Sequence, residues 1–154
     1  MKKIIHGIEF IDPKISISWK IKEEDFISLL GCEKNESHVY NFEAKLYPEN
    51  IDVFSFIAFN DRGFRIDINV AQTKVERAQG SKVIYIDENN TNTLKDYLHA
   101  RVGSPKFISK LFSILNKPFY THRWVFDNLK ITHKYQDSVG GFYESLIFEV
   151  KWTL

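Results

Sequence analysis

The last thirteen residues, Phe142 to Leu154, constrain the fold more than any other stretch of the chain. Leu146, Phe148, Val150, Trp152 and Leu154 take every second position, and Ile147, Glu149, Lys151 and Thr153 fill the gaps. A β-strand sends alternate side chains to opposite faces, so this stretch presents one large apolar face that must be buried. Just upstream, Leu129, Ile131, His133 and Tyr135 alternate with Lys130, Thr132 and Lys134. Asp137, Ser138, Gly140 and Gly141 lie between the two runs and are turn formers. The pattern predicts a C-terminal hairpin at the centre of an antiparallel sheet.

The rest of the chain supplies further strands and a few helices. Ile4–Phe10 and Lys14–Ile21 read as strands joined by a turn at Asp12 and Pro13. Glu23–Leu30 reads as a helix: Glu23, Glu24 and Asp25 favour the positive end of its dipole, and Phe26, Leu29 and Leu30 form one apolar stripe. Gly31 stands where a left-handed residue closes a helix. Tyr40–Leu46 alternates as a half-buried strand. Val53–Phe59 is apolar except for Ser55, which predicts a central strand buried on both faces. Asn60–Gly63 is a turn, and Phe64, Ile66, Ile68 and Val70 complete a second hairpin. Ala71–Gly80 reads as extended or irregular, and Lys82–Asp87 as a short strand. Thr93 with Asp96 has capping-box spacing for a helix to Val102, ended by Gly103. Ser104 and Pro105 begin another helix, running to Leu115. Phe119–Phe126 is extended. These elements predict one α+β domain over residues 1–154: a single twisted, mostly antiparallel β-sheet with about three helices packed on one side.

Composition narrows the class. A chain of 154 residues, 44% hydrophobic and 27% charged, is neither disordered nor membranous. The single cysteine, Cys32, excludes an internal disulfide and fits a reducing cytoplasm. It follows a helix end, where the dipole disfavours a thiolate, so it reads as inert. The apolar run after the basic start ends after Ile4 and Ile5, so no secretory segment is expected. Net charge is +1, but the charges are unevenly spread. From Ile21 to Asp61 nine acids face three bases, a net of −6. From Lys95 to Lys134 eight bases face two acids, a net of +6.

No phosphate loop, dinucleotide fingerprint, zinc-binding His pair or nucleophile elbow is present, and no cofactor or metal is expected. The candidates for chemistry are His122, His133 and Glu144, with His99 and Asp127 as further members. Brought together, they would make an acid–base set in a cleft between sheet and helices. Scattered, they are surface and packing residues. Glu144 is in phase with Leu146 and Phe148, so it is either a buried carboxylate or the wet start of the strand. Arg123 and Trp124, with Tyr120, Lys130 and Lys134, mix aromatic and basic groups as nucleic-acid surfaces do. The near-neutral total charge and the lack of an RNA-binding signature count against that reading.

In size, compartment and acidic stretch the chain resembles the small bacterial immunity proteins that neutralise toxins of interbacterial competition. That resemblance implies a non-enzymatic, cytoplasmic, protein-binding module whose partner is a cognate toxin. No residue pattern is shared, so no site is carried over. The partner-binding candidates are the acids of the negative stretch, Glu33, Glu36, Glu43, Glu49 and Asp52, as a surface complementary to a basic partner. The alternatives are a small enzyme or ligand binder using His122, His133 or Glu144, and a nucleic-acid binder.

Overall fold

A computed structural model describes residues 6–47, 51–70, 93–104, 120–138 and 141–152. Its elements, in chain order, are β1 (Gly7–Asp12), β2 (Ile15–Ser18), α1 (Glu23–Leu30), β3 (Val39–Leu46), β4 (Ile51–Asn60), β5 (Gly63–Val70), α2 (Thr93–Val102), β6 (Tyr120–Val125), β7 (Leu129–Ser138) and β8 (Gly141–Lys151). The eight strands form one sheet in the order β2-β1-β3-β4-β5-β8-β7-β6. Every pairing is antiparallel.

The C-terminal alternation organises this sheet. Phe148 lies opposite Ile66 on one side and Ile131 on the other. All three are fully buried. The same face carries Tyr40, Phe42, Val53, Ile57, Phe64 and Leu146, so period-2 patterns from five strands add up to one continuous core. Hairpin β4–β5 turns at Asn60–Gly63, as its turn residues predict. A Cβ at Gly63 would fall on the Val150 carbonyl oxygen, so β5 and β8 can approach only with glycine there.

Both helices pack on this core face. Phe26 of α1 meets the rings of Tyr40, Phe42 and Phe59. Leu94, Tyr97 and Leu98 of α2, at i, i+3 and i+4, are buried. Gly31 adopts φ 64° at the end of α1. The sheet also covers itself. Trp19, just after β2, stacks on Phe148 of β8 at 5.3 Å. Those strands are five places apart in the sheet, about 24 Å if it were flat. The sheet therefore curls strongly, and β1 carries a register shift between Phe10 and Asp12, an irregularity of the kind that increases local twist.

Three expectations are corrected. The C-terminal hairpin is not at the centre of the sheet: β8 is sixth and β7 seventh in the order, with only β6 beyond them among the described strands. The α+β reading with about three helices gives way to a sheet-dominated fold, an eight-stranded antiparallel sheet with two short helices among the described residues. The physical reason is the curl: the β1–β2 end, with Trp19, covers core that the sequence reading assigned to helices. Strand β4 is central in the order but not buried on both faces. Val53, Ser55, Ile57 and Phe59 are buried, whereas Phe54 on the other face is 45% exposed. The helix expected over Ser104–Leu115, the strand at Lys82–Asp87 and the Ala71–Gly80 segment fall wholly or mainly outside the described residues. No helix among the described residues is long and apolar enough to cross a membrane.

Candidate functional site

The loop from Gly31 to His38 is exposed and held by several hydrogen bonds. It starts from the left-handed Gly31, and the Cys32 amide donates to the Ile27 carbonyl at 3.3 Å. Asn35 is its internal anchor. The Asn35 Oδ1 accepts from both the amide and the hydroxyl of Ser37 at 2.8 Å, and its Nδ2 donates to the Val39 carbonyl at 3.2 Å. The Asn35 carbonyl accepts from the His38 amide at 3.0 Å. At the far end His38 adopts φ 55°, a left-handed conformation that is uncommon outside glycine. Its carbonyl accepts from the Phe59 amide at 2.9 Å, which ties the loop to β4.

Under the loop lies a buried carboxylate. Glu23, in the first turn of α1, accepts a hydrogen bond from the Tyr40 hydroxyl at 2.6 Å. The His38 Nδ1 stands 2.9 Å from both carboxylate oxygens, and Lys34 Nζ is 3.7 Å away. Burial pushes the Glu23 carboxyl up. The hydrogen bonds from Tyr40 and His38, and the charges of His38 and Lys34, outweigh it and hold the group below its ordinary value. Burial pushes the Tyr40 hydroxyl up, and the neighbouring Glu23 carboxylate adds to this against the Asn35 amide. The network joins α1, the loop and β3, and leaves Glu33 and Glu36 on the loop exposed.

The other predicted partner-binding acids lie elsewhere. Glu43 pairs with Phe54 across β3–β4, four residues along β3 from Val39, or about 13 Å. Glu43 and Asp52 line an open cleft of about 600 Å³ with Asp12, Pro13, Lys45 and Phe54. Lys45 Nζ is 3.4 Å from the Asp52 carboxylate, so one of these acids is already partly neutralised. Glu49 lies outside the described residues. The acidic stretch therefore forms two patches at opposite ends of β3.

The structure does bring together most of the second set. His122 and His133 are Cα partners across β6–β7, and their rings stack at 5.9 Å with 6° between planes. His133 Nε2 lies 2.7 Å from Glu144 Oε1, with both side chains buried. That overturns the wet-strand reading of Glu144. The same oxygen accepts from the Lys95 amide in the first turn of α2 at 3.1 Å. Trp124 Nε1 donates to the Gly103 carbonyl, just past the other end of α2, at 2.9 Å. His99 of α2 meets the Trp124 ring at 6.0 Å. Side chains from β6 and β8 thus satisfy backbone groups at both ends of α2, a helix-clamping role. Arg123 departs from the set: it pairs with Thr132 and sits exposed on the opposite face. Among the described residues no three His, Cys, Asp or Glu side chains are arranged to hold a metal.

Parts of the basic stretch are used internally. Arg101 donates to the Tyr97 and Tyr47 carbonyls at 3.0 and 3.1 Å and lies 3.8 Å over the Tyr97 ring. Lys130 pairs with Glu149, and this hydrogen bond, against the opposing effect of burial, lowers the Glu149 carboxyl. Sequence reasoning missed the Glu23–His38–Tyr40 network. Its one visible signal was that Glu23 stands three residues before Phe26 and seven before Leu30, a charged residue in phase with the apolar stripe of its helix. No known protein family, curated protein or solved structure matches the chain.

Proposed function

We propose that the protein is a non-enzymatic binding module whose partner is another protein. We place it with immunity-type proteins: a cytoplasmic chain that neutralises a bacterial toxin by direct contact. The observation that supports this reading is the loop 31–38. It holds Glu33 and Glu36 in water on a backbone tied down by Asn35 and by the Glu23–His38–Tyr40 network. A loop ordered before binding avoids the entropy cost of ordering it in the complex, about 0.5–1.5 kcal/mol per immobilised side chain. Its charge favours a basic partner surface. The second patch holds Glu43 and Asp52 beside the exposed Phe54.

The test is co-expression with the product of the neighbouring gene, followed by affinity measurements on two charge-reversed variants. One carries Glu33→Lys and Glu36→Lys, the other Glu43→Lys and Asp52→Lys. Losing affinity by about tenfold or more in the first, with an unchanged thermal midpoint, supports the loop as the contact. Equal affinity for wild type and both variants refutes an acidic contact surface.

A further inference from the structure

We infer that the cleft over the end of β3 seats one arginine side chain of the protein partner, with its guanidinium over the Phe54 ring and against the Glu43 carboxylate. The inference rests on the partner-binding reading above and names the chemistry of one contact within it. The cleft opens on the face of the sheet away from the core. Ala44 of β3 and Val53 of β4 line it but are buried beneath it, so its floor is the paired backbone of the two strands. Alternation then sends Glu43, Lys45, Asp52 and Phe54 up to its open side. Asp12 of β1, the Cα partner of Lys45, lines it from the β1 side.

Phe54 is the feature that calls for an occupant. Its ring is 45% exposed on a strand in the middle of the sheet. It stands opposite Glu43 in the β3–β4 register, which puts their Cβ atoms about 4.5–5.5 Å apart. An aromatic face attracts a cation within about 6 Å of its centroid, and a carboxylate at this spacing can bond the same cation from the side. Charge selects that occupant. Asp12, Glu43 and Asp52 against Lys45 leave the lining at −2. Lys45 is already engaged, with its Nζ 3.4 Å from Asp52, and Glu43 has no cation partner among the described residues. A neutral apolar group seated here would desolvate Glu43 without bonding it, which is unfavourable. Arginine is favoured over lysine: its planar, weakly hydrated guanidinium lies flat on a ring while its edge donates two parallel bonds to a carboxylate. At about 600 Å³ and open to solvent, the cleft admits a side chain presented from another protein's surface.

The experiment titrates the whole chain with methylguanidinium and, separately, with methylammonium at low salt, and follows the backbone amides by proton–nitrogen NMR. Methylguanidinium should give saturable shifts at Glu43 and Phe54, with an affinity about threefold above that of methylammonium. Phe54→Ala should abolish that preference, and Glu43→Gln should weaken both cations by about threefold. Both side chains are exposed, so each variant keeps the core intact. Equal affinity for the two cations, no saturable shift at these residues, or a preference that survives Phe54→Ala overturns the inference and leaves the partner-binding reading standing. With the co-expressed partner, Phe54→Ala combined with Glu43→Gln should lower affinity by about tenfold or more. A partner held as tightly by that double variant as by the wild type overturns the inference alone. The absence of any stoichiometric protein partner removes the partner-binding reading and this inference together.

Discussion

Truncating His133 to alanine should cost about 3–5 kcal/mol, because it strands a charge. Glu144 is 4% exposed, and its Oε1 accepts from two donors, His133 Nε2 at 2.7 Å and the Lys95 amide at 3.1 Å. Its Oε2 makes no hydrogen bond among the described residues. Without the imidazole, one backbone amide is left to hold a buried carboxylate. Glu144→Leu should cost less, about 1–3 kcal/mol: it removes the charge but leaves the Lys95 amide without an acceptor. In the double variant His133→Phe with Glu144→Leu, neither member of the buried pair is left alone and the Lys95 amide loses its Glu144 acceptor, a cost of about 1 kcal/mol. The double change should therefore be milder than His133→Ala alone. Urea titration with tryptophan fluorescence reads all three stabilities, and the His133→Ala midpoint should fall by about 6–20 °C on heating. A His133→Ala cost below about 1 kcal/mol, or a double variant as unstable as the summed singles, would refute the coupling. The clamp on α2 would then have to come from Trp124.

Two other outcomes follow from burial and charge. Phe148→Ala should cost about 3–5 kcal/mol, since Phe148 is fully buried between Ile66 and Ile131 and stacks on Trp19. Phe54→Ala, on the half-exposed face of β4, should cost under about 1 kcal/mol, and equal losses in the two denaturation curves would show that the core face has been misassigned. The Glu23 carboxyl is lowered below 4.5 in the folded chain. Its contribution is therefore fully present above that value and is lost as pH falls through the lower, folded one. Glu23→Gln should flatten the acid limb of the stability curve below about pH 4.5, and an unchanged limb would remove the network as its cause.

What was legible in the sequence was whatever repeats along one strand or one helix turn. Leu146, Phe148 and Val150 declare a buried face because period-2 spacing is a property of the strand itself. Gly31 declares a helix end for the same local reason. Val53–Phe59 misled because an apolar run signals burial but not on how many sides. Phe54 is apolar and yet 45% exposed. The curl that brings Trp19 onto Phe148 was illegible, because it joins residues far apart in the chain with no shared pattern.

Glu144 shows where these two kinds of information meet. Its phase with Leu146 and Phe148 was visible and placed it on the core face. A charge there is costly unless partners exist, so the economical reading from one strand was a wet strand start. The partners come from β7 and from the first turn of α2, 11 and 49 residues away. A helix start has unsatisfied amides that favour an acceptor, and a core face offers few. An acid in phase with a core face is then what a helix lying across that face requires, and the charge marks where α2 begins. The Glu23 network repeats the logic from the other side: a carboxylate in the first turn of α1 finds Tyr40 on the core face of β3 and His38 at its start. In both places the charged residue breaking an apolar pattern marks a junction between helix and sheet. Only the second junction leaves its imidazole in water, at the base of the loop that carries Glu33 and Glu36.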